Sequence, residues 1–297
     1  MLHVSNFSNG ALNPVLAYLT SCMGCFLGLR CMTRARAYQG VARARWLALA
    51  AIAIGSTGIW VMHFIAMLGF TIPGQDIRYN VPVTILSMVI AVVVVGIGVF
   101  IVGFREGTGP LVLGGVIIGL GVASMHYIGM SAIRVQGSLS YNPVLVVLSV
   151  IIAIIAGTAA LWAALRLNTL WTTFVASLVM GVAVSGMHYT GMAALRVQAA
   201  PGLVVNTSAT ASAIGFLLPL ILGLCLVGFI FSTVIALSPT AAEIVEEGEL
   251  MARIARTADY EQPAGPAWTA SRPARPAPAD PDRPQPGDLF RPRPPQR

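Results

Sequence analysis

The chain has 297 residues, of which 56% are hydrophobic and only 10% charged, and its formal net charge is +7. Apolar runs of the roughly 20 residues that a bilayer crossing needs recur along the first 237 positions, so the composition points to an integral membrane protein. The positive charge does not signal a nucleic-acid partner: ten arginines against Asp76 and Glu106 place +8 on the membrane part and leave the tail at −1.

In chain order, residues 1–10 read as a short external N-terminus without a basic residue before the first apolar run, which argues against a cleaved signal peptide. Seven transmembrane helices are expected near 11–32, 46–70, 81–104, 110–133, 143–167, 171–195 and 211–237, giving an all-α integral membrane fold. The chain contains no lysine, so orientation rests on arginine. Arg30, Arg34, Arg36, Arg43 and Arg45 crowd the first connection, with Arg105 in the third and Arg166 in the fifth, while the alternate loops hold Arg78, Arg134 and Arg196 singly. Positive-inside bias then predicts a multi-pass protein of the cell membrane with its N-terminus outside and its C-terminus in the cytoplasm. Cys22 and Cys25 form a C-x-x-C inside the first apolar run, but Cys31 and Cys225 complete no second pair, and the four read as buried thiols. Residues 238–261 suit a short amphipathic helix with acidic residues early and arginines late, and 262–297, with eleven prolines, suit a disordered tail.

The chain repeats itself. "YNVPVTILSMVIAVVVVG" from Tyr79 and "YNPVLVVLSVIIAIIAG" from Tyr141 align at an offset of 62, and the same 62 separates His126 from His188. "NPVLAYLTSCMG" from Asn13 opens a third copy. Three two-helix repeats, about 11–70, 80–134 and 142–196, are therefore followed by one last helix. Each copy starts with an asparagine N-cap candidate and an early proline. Asn13 to His63 spans 50 residues against 46 in the later copies, and the surplus of four is expected in the arginine-rich loop. Repeats of two helices share one orientation and are related by an axis along the membrane normal, so His63, His126 and His188 are expected at one depth, in the outer half of the membrane.

Around those histidines the pattern M-H-x-x-x-M recurs as Met62, His63, Met67, then Met125, His126, Met130, then Met187, His188, Met192. Residues four apart share a helix face, so each helix offers an imidazole and a thioether to one point. Intramembrane histidine is expensive and marks interior, functional positions. Imidazole with thioether suits copper, Cu(I) in particular, and the spans contain no carboxylate for a harder metal. The glycines in "GVIIGLGVAS" and "MGVAVSG" read as close-packing residues, and Arg134 and Arg196 as interfacial ones.

These residues resemble the MHYT domain, a bacterial membrane sensor module. Met187, His188, Tyr189 and Thr190 spell its name, while the second copy has Ile128 for threonine and the first has Phe64 and Ile65. The resemblance implies a sensor that binds copper through these motifs and responds to oxygen, carbon monoxide or nitric oxide. Many such modules precede a diguanylate cyclase or phosphodiesterase, which the 60 residues after Leu237 cannot hold. The expectation is thus a non-enzymatic sensor of a diatomic gas, redox state or copper itself, whose partners are the lipid bilayer, the gas or ion, and a separate cytoplasmic signalling protein reached through loops or tail. Copper transport is the alternative, followed by a zinc-dependent membrane hydrolase, which would want a general base nearer than Asp76; noncovalent haem is a further alternative.

Overall fold

The structure is a computed structural model that describes residues 8, 10–73, 76–167, 169–199, 210–237 and 248–257. It divides into Met1–Glu243 and Ile244–Arg297. In the second unit, residues 248–257 are an exposed helix inside the segment expected to be amphipathic. The expected tail, 262–297, lies outside the described residues.

The first unit is a ring of helices. α1 (Leu12–Ala37) is followed by a second long helix, Gly40–Met67, made of α2 (Gly40–Ile52), a π-helix (Ala53–Val61) and α3 (Met62–Met67). Then come α4 (Val81–Phe104), α5 (Thr108–Ser131), α6 (Pro143–Arg166) and α7 (Leu170–Ala194). Each packs on the next in chain order, and α7 returns to α1 and closes the ring. Among the described residues these six helices are long and apolar enough to cross a membrane. The last expected crossing is α8 (Leu218–Leu237), which follows a π turn at Ala213–Leu217 and packs on α1 and on the first π-helix. Its apolar stretch, Gly215–Phe231, is shorter than the other six.

Local chemistry sets the ends. Asn80 Oδ1 accepts from the Val83 N–H at 3.1 Å with Pro82 in the first turn, and Asn142 Oδ1 accepts from the Val144 N–H at 3.0 Å with Pro143 beside it, so both asparagines cap their helices as expected. Asn13 does something else. It lies inside α1, where its buried Nδ2 donates to the Ile65 carbonyl at 3.1 Å and ties α1 to the histidine-bearing α3. Ile85, Val89, Val93 and Ile97 on α4, and Val147, Ile151 and Ile155 on α6, leave apolar stripes exposed at intervals of about one helical turn, the surface a lipid environment covers. Facing inward, Gly24 on α1 meets Gly58 of the π-helix so closely that a Cβ would strike the Gly58 backbone.

The arginine-rich segment is not the loop expected from its charge. α1 carries Arg30, Arg34 and Arg36 to its end, Gly40 turns the chain with φ +56°, and α2 carries Arg43 and Arg45, leaving only Tyr38 and Gln39 between. Arginine is a good helix former, and two of these are held by neighbours: the Arg34 guanidinium lies 5.2 Å over the Trp46 ring, and Arg36 donates to the Leu165 and Leu167 carbonyls, each at 2.7 Å, at the end of α6. The surplus of four residues therefore sits in the helix. Gly40–Met67 has 28 residues against 24 in α5 and 25 in α7, and its π-helical stretch of nine takes up extra residues within the turn.

Short strands, absent from the sequence-based expectation, close the opposite end. β1 (Arg78–Asn80) pairs antiparallel with β2 (Ile133–Arg134) and with β5 (Thr210–Ser212), while β3 (Gly137–Tyr141) pairs with β4 (Leu195–Ala199). The pairs Arg78↔Arg134 and Tyr79↔Ile133 reappear as Ser140↔Arg196 and Tyr141↔Leu195, so the repeat extends to the ladder register. Arg134 also donates to the Ser131 carbonyl at 2.6 Å, at the end of α5.

Candidate metal centre

Each histidine lies about two turns or less from the strand end of its helix: His63 on α3, His126 on α5 and His188 on α7. All three are buried, as are Met62, Met67, Met125, Met130, Met187 and Met192 on the same helical turns. Closure of the ring brings the imidazoles together. His63 Nδ1 lies 3.0 Å from His188 Nδ1 and 3.2 Å from His126 Nδ1, and the three residues' ligating atoms fall within 4.8 Å of one another. Among the described residues no other group of three such side chains converges. Ring centroids are 4.9–5.1 Å apart and the planes cross at 78–86°, a three-bladed propeller about the repeat axis.

This arrangement has an unmet need. A neutral imidazole carries one donor and one acceptor nitrogen. With three Nδ1 atoms around one point, at least two must present the same kind of group to each other. The outward Nε2 atoms of His63 and His126 are buried without hydrogen-bond partners. Leaving such groups unpaired costs about 1–3 kcal/mol each. A soft cation taking three lone pairs at once relieves the conflict at the centre, so the donor set fits a metal.

The rings rest on glycine. A Cβ on Gly129 would stand 2.7 Å from His63 Nε2, and one on Gly191 would fall closer still to His126 Nε2 and 2.9 Å from its Cδ2. Neither Gly129 nor Gly191 is among the glycines read from the sequence as packing residues, which lie before the histidines at 115–124 and 180–186. Their signal is visible in hindsight, since each follows its histidine by three residues and precedes the motif methionine, whereas Ala66 holds that place in the first copy.

An aromatic wall surrounds the triad. Phe64, Tyr127 and Tyr189 each stand edge-on to the preceding histidine, with centroids 4.7–5.0 Å away. Tyr127 Oη and Ser149 Oγ are 2.6 Å apart, while in the first copy the Trp60 N–H donates to Ser87 Oγ at 2.9 Å, so serines 62 residues apart receive different partners. That explains why a phenol is dispensable at Phe64. On the other side, Met187, Met180 and Cys25 share with Ile54, Val122 and Ala153 the lining of an apolar cavity of about 40 Å³. The four cysteines are free thiols, and three of them are buried.

Comparison with known proteins places this sequence among signalling proteins. The family model for the MHYT repeat, described as a bacterial signalling protein N-terminal repeat, matches residues 57–115, 119–177 and 181–245, segments that begin 62 residues apart. An uncharacterized signaling protein of Caulobacter vibrioides is 37% identical over 195 residues, covering 65% of this chain and 24% of its own. Two Pseudomonas aeruginosa proteins are similar: the bifunctional diguanylate cyclase/cyclic di-GMP phosphodiesterase MucR, 43% identical over half of this chain and 22% of its own, and the cyclic di-GMP phosphodiesterase NbdA, 36% identical over 67% and 26%. The chain thus spans about a quarter of the length of these curated relatives. No solved structure matches.

Proposed function

Because the chain belongs to the MHYT family of bacterial signalling proteins, we propose that it is a membrane sensor whose input is a copper ion held by the histidine triad and a diatomic gas, a redox change or copper itself. The observation that carries this reading is the meeting of three buried imidazoles from three repeats, with Nδ1 atoms 3.0 and 3.2 Å apart and no carboxylate in the cluster. His63, His126 and His188 are the nitrogen ligands. Met62, Met67, Met125, Met130, Met187 and Met192 supply the soft surroundings from which thioether ligands are drawn. Copper, when bound, supplies a redox-active centre with affinity for small diatomic ligands.

The chain's own residues do the rest. Gly129 and Gly191 let the rings stand where a side chain would push them off. The aromatic wall and the strand ladders keep water from the triad. The cavity beside Met187 is apolar, which favours a dry space open to a nonpolar gas over one filled with water. A change at the triad acts on helix packing because the three rings belong to α3, α5 and α7, and Asn13 links α3 to α1. The arginine-rich end faces the cytoplasm in this reading, the triad lies in the outer half of the membrane, and output passes to a cytoplasmic signalling partner.

The test is elemental analysis of the purified full chain after reconstitution with copper under reducing conditions. Wild type is expected to retain stoichiometric copper, and the H63A/H126A/H188A variant to retain none while keeping its helical content. Full copper in the triple variant, or none in wild type, would sink the proposal.

A further inference from the structure

At the arginine-rich end of the ring, opposite the strand ladders, lies a second cavity of about 590 Å³. Its floor is apolar, with Met32, Leu47 and Val102, and its rim carries Arg36, Arg43, Arg105 and Arg166 against Glu106 alone. The arginines come from all three repeats: Arg36 and Arg43 from α1 and α2, Arg105 from the C-cap of α4, and Arg166 from the last residue of α6. Arg36 is held by the Leu165 and Leu167 carbonyls, and the Arg43 guanidinium lies 5.5 Å over Phe104. Arg43 Nε is buried and has no hydrogen-bond partner.

We propose that this basin binds a phosphate-bearing anion, presented either by a lipid headgroup or by a soluble phosphoryl compound. Four guanidinium groups against one carboxylate make a cavity of one sign, and low-dielectric walls focus that field. Guanidinium forks match phosphate oxygens with paired donors, and arginine is the cation that proteins use where that geometry matters. The buried Nε of Arg43 is a donor that the protein itself leaves unmet, and an anion seated beside it removes the penalty. The cavity falls within the size range of small-molecule sites, and its apolar floor below a charged rim suits a ligand with a nonpolar part. A ligand there touches α1, α2, α4 and α6 together, so it ties the repeats at the end opposite the triad. The inference does not depend on copper.

The experiment is native mass spectrometry of the full chain in neutral detergent, titrated with phosphatidylglycerol, with zwitterionic phosphatidylcholine, or with inorganic pyrophosphate. Wild type is compared with R43A, R43K, the exposed pair R105A/R166A, and R45A, an exposed arginine outside the basin. Phosphatidylglycerol is expected to bind wild type and R45A alike, and about tenfold more weakly to R43A, to R43K and to R105A/R166A, the loss of roughly one charge-assisted contact. Pyrophosphate bound with the same arginine dependence identifies a soluble source; dependence seen with phosphatidylglycerol alone identifies a lipid one. Equal binding of both lipids with no pyrophosphate binding, or wild-type affinity in R105A/R166A, overturns the proposal. Because those two side chains are exposed, that variant is informative even where R43A disturbs the fold.

Discussion

At the scale of single residues, what matters is how little room the triad leaves. The His126 ring stands over the Cα of Gly191, so Gly191→Ala forces it aside, an overpacking change worth about 1–3 kcal/mol. The expected outcome is copper content falling well below wild type, read by elemental analysis, with the protein still helical; unchanged copper would mean that the glycine seat is unimportant. Tyr141, in the ladder outside the spans, has its phenol pushed up to about 12, first by burial and then by neighbouring Tyr127. The neutral phenol is favoured when folded, so this contribution to stability is complete below about 10, the ordinary tyrosine value. It is lost as pH rises through about 12. In ultraviolet titration the Y141F variant should lose a late phenolate transition near pH 12, and loss of an ordinary one near 10 would contradict the assignment. Asn13 shows the limit of reading residues singly: the same Asn-Pro pair that caps α6 places in α1 an amide that reaches 52 residues along the chain instead.

Among elements, the second long helix departs most from its counterparts. Its extra length lies in helix because arginine propagates helix through the segment and the π-helical stretch holds more residues per turn, while Gly24 and Gly58 let α1 approach backbone to backbone. Glycine at such a contact is thus a spacer, and a glycine with open space around it, such as Gly109, is not. Gly24→Ala should lower the thermal unfolding midpoint markedly, since the Cβ meets backbone that cannot yield. Gly109→Ala, with nothing within 4 Å of its Cβ, should leave the midpoint unchanged or raise it, by up to about 1 kcal/mol in stability. Equal effects of the two in detergent-solubilised protein would refute the close approach.

For the molecule as a whole, the ring places the three repeats so that each end of the bundle becomes one composite site. The triad takes one histidine from each repeat, and the arginine basin takes its rim from all three. Between them the apolar cavity of about 40 Å³ adjoins the triad through Met187. Filling it with Ala153→Leu is expected to leave copper stoichiometric and to weaken the spectral response of the copper-loaded protein to carbon monoxide. A full response in that variant would remove the cavity from the proposed gas route.

Read alone, the sequence determined the class of the protein, six of its seven expected crossings as long apolar helices, its internal period of 62 and the nine motif positions, because these depend on hydrophobic run length and on local spacing. It did not reveal the strand ladders, since β2 has two residues and β1 three, too short for a period-two pattern to register. Nor did it reveal the histidine-to-glycine seats or the roles of Asn13 and Arg36, whose partners lie in other repeats. Tertiary structure decided that three imidazoles separated by 63 and 125 positions meet through their Nδ1 atoms. The physical reason is closure: a helix fixes which residues share its face, but only packing α7 back onto α1 fixes which faces share a centre.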